Sequence, residues 1–127
     1  MRENTVLDNE LRQATLEFAR TLRHAPAVAA YRAATEALDA DPGAQALLAD
    51  AREQQSALAR MQRTGLSPTQ LQIDAFRRAQ AAIRDSEAIM ASLRTTNEVK
   101  AFLPVVARHL SRSLGFDYSQ LVAPQSC

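Results

Sequence analysis

The chain has no tryptophan and a single cysteine, Cys127, in 127 residues. One thiol excludes an intramolecular disulfide and points to a reducing, cytoplasmic compartment. There is no apolar run at the N-terminus, so no signal peptide is expected, and no apolar stretch is long enough to span a bilayer. Lysine occurs once, at Lys100; the other bases are arginines, interleaved with acids to a net charge of +1. No basic block of the kind that neutralises many phosphates is present, and direct nucleic-acid contact is not expected. Aromatic residues make up 5% of the chain although hydrophobic residues reach 46%, because alanine supplies much of the difference. Alanines let helices approach closely but bury little area each. At about 25 cal/mol per Å² of apolar surface, a core built from them stabilises only modestly. A thin helical hairpin of this composition gains by packing against a second copy.

Catalytic and ligand-binding patterns are missing as well. His24 and His109 have no Cys, His or carboxylate at the spacing of a metal pair. The acid pairs Asp39/Asp41 and Asp85/Glu87 are two residues apart, which places them on different sides of a helix and argues against a general acid–base couple. Cys127 sits in a polar tail with nothing to lower its pKa. The expectation is a non-enzyme with no catalytic residue, no metal and no cofactor.

What the chain does contain is a helical hairpin, expected over Asp41 to Leu93. Asp41 and Pro42 suit a helix cap and its first position. Ala44, Leu47, Leu48, Ala51, Leu58 and Met61 follow largely at helical spacing, interrupted in the middle by Gln54 and Gln55, with Gln54 expected at the stripe's edge in water rather than at a register-fixing seam position. Gly65 closes the helix within the turn Thr64-Gly65-Leu66-Ser67. Ser67, Pro68 and Gln70 form a start signal for the second helix. So short a turn requires the helices to run antiparallel. The second helix carries two stripes, Ile73, Phe76, Ile83 and Met90, and Leu71, Ala75, Ala79, Ala82, Ile89 and Leu93. Together they make an apolar face wider than one partner helix needs. Leu71, Ala75, Phe76, Ala79, Ala82, Ile83, Ile89 and Met90 are therefore the candidate oligomer interface.

Flanking helices complete the expectation of one helical domain over 1–127, with disordered ends at 1–4 and 123–127. Thr5 can cap a first helix, with Asp8 in its first turn. The seam of that helix is Leu7, Leu11, Ala14, Phe18, Leu22 and Ala25, ended by Pro26. Val28, Tyr31, Thr35 and Leu38 mark a second, shorter one. Thr95 and Glu98 have capping-box spacing before Val99, Phe102, Leu103, Val106, Leu110 and Leu114, a stripe that keeps phase across Pro104 and stops at Gly115. Pro26 to Tyr31 and Asn97 to Phe102 echo one another, each with a valine and an aromatic three apart, which suggests two flanking helices in a pseudo-symmetric layout. Phe116, Tyr118 and Leu121 are placed to pin the tail. The fold class is all-α: an antiparallel helical bundle built on a long central hairpin with shorter flanking helices.

Several segments, in this order, resemble the YlbF/YmcA family of small bacterial regulators. They are Tyr31-Arg32-Ala33-Ala34 with Leu38, Asp41-Pro42 with Ala44 to Leu48, and Leu58 to Gly65. Asn97-Glu98-Val99-Lys100-Ala101-Phe102 and Leu114-Gly115-Phe116-Asp117 follow. The family's second flanking motif usually begins Asn-Pro; here Glu98 stands in place of the proline. The resemblance implies an all-helical regulator that forms homo-oligomers, or hetero-complexes with related members. It also implies a cytosolic setting linked to RNase Y, mRNA processing and developmental control. Family members of that complex carry iron–sulfur clusters on C-terminal cysteines. This tail offers Cys127 alone, a candidate at most for a cluster shared between chains, since four thiolates are the usual set. The functional expectation is a regulatory or scaffold subunit acting through protein–protein contacts. The alternative is an RNA-binding helical module using Arg77, Arg78 and Arg84, the densest basic group, which lacks an aromatic platform.

Overall fold

The computed structural model describes residues 8–122. Of these, 87% are helical and none is in a strand, so the protein is all-α. The described residues form six helices in order: α1 Asn9–Arg23, α2 Pro26–Asp39, α3 Pro42–Arg63, α4 Gln70–Asp85, α5 Glu87–Leu114 and α6 Tyr118–Val122. The chain divides into two compact units, residues 32–96 and residues 1–31 with 97–127; the divisions fall inside α2 and α5.

The unit 32–96 contains the expected hairpin. Asp41 caps α3, its carboxylate accepting from the Ala44 amide at 3.0 Å, with Pro42 in the first turn. The C-terminus of α3 closes in a Schellman arrangement. Gly65 sits at φ 73°, the Leu66 amide donates to the Met61 carbonyl at 2.9 Å, and the Gly65 amide to Gln62 at 3.3 Å. A side chain at Gly65 meets no neighbour, so the cost of Gly65→Ala is the backbone conformation alone. It is expected to lower unfolding free energy by about 1 kcal/mol, measured by urea titration.

The second hairpin helix starts two residues later than expected. Thr69, not Ser67, is its cap: the Thr69 hydroxyl accepts from the Gln72 amide at 3.2 Å while the Gln72 side chain accepts from the Thr69 amide at 2.8 Å. Both Ser67-Pro68-Thr69-Gln70 and Thr69-Gln70-Leu71-Gln72 have box spacing, and the second closes reciprocally. Between α3 and α4 runs the one extended helix–helix contact among the described residues.

The helix also ends earlier, at Asp85 rather than Leu93. Ser86 is extended, and its hydroxyl accepts from the Ile89 amide at 3.4 Å, starting α5 at Glu87. No break occurs at Arg94 to Glu98, and the Thr95–Glu98 capping box does not form. The Thr95 hydroxyl donates to the Ala91 and Ser92 carbonyls at 2.8 and 3.1 Å, and Thr96 donates to Ser92 at 2.7 Å. A threonine whose hydroxyl bonds back to the preceding turn can sit mid-helix. Thr95 is also in phase with Val99, Phe102, Val106 and Leu110, which favours helix continuity over a cap. As a result α5 is the longest helix among the described residues, 28 residues, unbroken through Pro104. The apparent echo between the segments opening at Pro26 and Asn97 disappears: the first starts a helix and the second lies inside one.

In the other unit, Asp8 is the cap of α1 rather than a member of its first turn, its carboxylate accepting from the Leu11 amide at 2.8 Å. Thr5, the expected cap, lies outside the described residues. His24 terminates α1, its Nδ1–H donating to the Arg20 carbonyl at 2.8 Å. Gly115, at φ 85°, ends α5. The tail then turns so that the Tyr118 amide donates to the Ser111 hydroxyl at 3.0 Å. Tyr118 is half-buried, while Phe116 and Leu121 remain exposed, so one of the three expected pins engages.

Candidate functional site

Buried side chains are few. Among the described residues, Ala44, Ala79 and Ile89 are the buried hydrophobic ones and Thr95 the buried polar one, all in the unit 32–96. Among the described residues of the other unit none is buried. This follows from the composition: alanine, which buries little area, fills two of the three buried hydrophobic positions among the described residues.

The eight positions expected at an oligomer interface divide three ways. Ala79 and Ile89 are already buried inside the chain. Ala75, Phe76, Ala82, Ile83 and Met90 are half-buried. Leu71 is 74% exposed. Leu71 to Ile83 do not form one continuous helix with Ile89 and Met90, because Ser86 separates them. On α4 itself, Leu71, Ala75, Arg78 and Ala82 lie along one flank by helical spacing. That flank is a strip of small and aliphatic side chains interrupted by the exposed Arg78.

More apolar surface lies uncovered elsewhere. Leu11, Leu16 and Phe18 on α1 are about half exposed, as are Leu93 and Leu114 on α5. The α1 seam read from the sequence is therefore present but uncovered: Leu11, Ala14 and Phe18 are exposed, and Leu22 and Ala25 half-buried.

Concavities occur among the described residues, and two of them have well-defined linings. One, of about 340 Å³, lies by the hairpin turn and is lined by Gln55, Leu58, Ala59, Gln62 and Pro68. The larger, of about 670 Å³, runs along the C-terminal half of α5 beneath the returning tail, with Lys100, Arg108 and Arg112 among its lining residues. Sequence reasoning did not identify this groove. Its signal was available in the spacing of the three cations along the C-terminal half of α5, followed by Gly115 and the cap-forming Asp117. The cations were hidden by the absence of a contiguous basic run.

Electrostatics among the described residues are sparse. Arg94 and Glu87 make the one ion pair there, at 3.4 Å between exposed groups, a contact of small energetic weight. Arg77, Arg78 and Arg84 are exposed; by helical spacing Arg77 and Arg84 share a face of α4 and Arg78 lies on another. No group of three His, Cys, Asp or Glu residues that could hold a metal occurs among the described residues. Cys127 lies outside them. No described helix is long and apolar enough to cross a membrane.

The described residues are thus all-helical, with a short-turn hairpin and apolar side chains left uncovered on several helices. A family model described as "Control of competence regulator ComK, YlbF/YmcA" matches residues 11–115. The chain belongs to this YlbF/YmcA family of regulators, and its role is regulatory at that level. Neither a search of curated proteins nor one of solved structures finds a match.

Proposed function

We propose that the chain is a non-enzymatic regulatory or scaffold subunit that acts through helix-to-helix contacts with other protein chains. It assembles as a dimer or larger homo-oligomer, or with related family members, and its setting is the RNase Y-dependent mRNA processing linked to YlbF-type regulators. The observation that carries the reading is the imbalance of apolar surface: among the described residues, three hydrophobic residues are buried against twelve large hydrophobic residues left exposed. Isolated exposed leucines are ordinary, but aligned apolar faces on α1 and α4 are the surfaces that helical partners cover.

Deletion of the coding sequence, with transcript ends mapped genome-wide, tests the setting. Accumulation of unprocessed RNase Y substrates is the expected result; unchanged ends remove the RNase Y link and leave the assembly claim standing. The RNA-binding reading has one specific support, the exposure of Arg77, Arg78 and Arg84 outside any ion pair among the described residues. It requires a salt-dependent RNA mobility shift that weakens in Arg77→Ala and Arg84→Ala, because phosphate contacts release counterions. No shift at low salt is the expected outcome.

A further inference from the structure

The larger groove has a chemistry that no apolar packing argument accounts for. By helical spacing, Leu103 and Ala107 form its apolar side and Arg108 and Arg112 its basic side, with Lys100 near the floor. None of the three cations is ion-paired among the described residues. The acid present, Asp117, is occupied locally: its carboxylate accepts from the Ser119 amide at 3.1 Å and the Ser119 hydroxyl at 2.6 Å. The groove therefore asks for an apolar helix with acids along one edge.

Such a helix exists in the same chain. α1 is the most amphipathic of the described helices by its pattern, and its apolar seam is uncovered. Glu10 and Glu17 lie together on one border of that seam, seven residues apart, which is about 10.5 Å along a helix. Lys100 and Arg108 are eight residues apart, about 12 Å. The opposite border of the seam carries Arg12 and Arg23, so one orientation of α1 in the groove is complementary and the reverse is repulsive.

We propose that α1 of a second copy docks in this groove, its Leu11–Phe18 seam on Leu103 and Ala107 and its Glu10–Glu17 border on Lys100, Arg108 and Arg112. The exchange is reciprocal, each chain giving its α1 and receiving the other's. The inference rests on the self-association proposed above and adds which surfaces meet and in which sense. Electrostatic complementarity of this kind fixes register and excludes wrong pairings more than it raises affinity.

The test uses two full-length charge-reversal proteins, Arg108→Glu with Arg112→Glu, and Glu10→Arg with Glu17→Arg. All four side chains are exposed, so each protein folds, which thermal circular dichroism verifies. Sedimentation equilibrium of each alone is expected to show association weakened at least about tenfold, because both reciprocal contacts become like-charged. Mixed in equal amounts, the two proteins have opposite charges at one of the two reciprocal contacts in the wild-type sense and at the other in the reversed sense, and association between them is expected to return to within about threefold of wild type. If wild type associates and both variants associate equally well, the groove is not the docking site and self-association stands. If the variants weaken but the mixture does not recover, α1 is not the groove's occupant. If wild type is a monomer at all concentrations, this inference and the self-association reading fail together.

Discussion

Carboxylates introduced together at Leu71 and Ala75 are expected to weaken self-association by about 100-fold or more while leaving the helical content of the chain unchanged. Leu71 is 74% exposed in the single chain, so an aspartate there loses no intramolecular packing of consequence. Ala75 is half-buried on the same flank of α4, one turn away. In an assembled interface that covers this flank, Arg78 can pair with the acid at 75, three residues away, but the acid at 71 would face apolar surface without a partner. An uncompensated buried charge costs roughly 3–5 kcal/mol, and each 1.4 kcal/mol is tenfold in affinity. Sedimentation equilibrium with Leu71→Asp plus Ala75→Asp measures the effect. An unchanged association constant would mean that the α4 flank takes no part in the interface.

Shortening Ile89 to alanine is expected to be the most destabilising single change within the chain. Ile89 is 7% exposed and is by far the largest of the three buried hydrophobic side chains among the described residues. It sits in the first turn of α5, where its amide also takes the Ser86 cap. Isoleucine-to-alanine in a packed position costs about 2–5 kcal/mol. Against a total stability of roughly 5–15 kcal/mol for a domain, that is a large share. The melting midpoint should fall by about 10 °C or more, whereas Ile89→Val should cost no more than about 1.5 kcal/mol. A loss below about 0.5 kcal/mol for Ile89→Ala would mean that packing at this site contributes nothing to the fold.

The hairpin was legible because its signals are local and chemically unambiguous. Asp41-Pro42 can hardly be anything but a helix start, and Gly65 supplies a positive φ that other residues adopt at a cost. The errors cluster where two local signals of equal quality competed. Ser67 and Thr69 both present capping chemistry, and the reciprocal bond with Gln72 decides for Thr69. Thr95–Glu98 reads as a capping box, yet Thr95 continues the Val99–Phe102–Val106 stripe, and helix continuity prevails. Ser86 is a modest signal by comparison, but it is followed by Ile89, a side chain that the chain buries. Boundaries of this kind depend on which side chain finds cover, and that depends on tertiary structure.

The candidate surfaces were legible only in part. Periodicity identified the apolar faces of α1 and α4 but not how much of each the chain covers by itself. Ala79 illustrates the limit: it belongs to the same stripe as Leu71, Ala75 and Ala82, yet it alone of the four is buried within the chain. The α5 groove was missed for a different reason. Its cations are spread over Lys100, Arg108 and Arg112, and its concavity depends on the tail turning at Gly115 and binding back through Ser111. Nothing in a linear charge pattern reports that turn.

The central claim is that the uncovered apolar faces are completed by another chain. Light scattering on the purified protein through the micromolar range tests it most directly. The account predicts a particle of at least two chains of 13.9 kDa, dissociating on dilution and weakened by the Leu71→Asp plus Ala75→Asp protein. A single-chain mass throughout that range would contradict it.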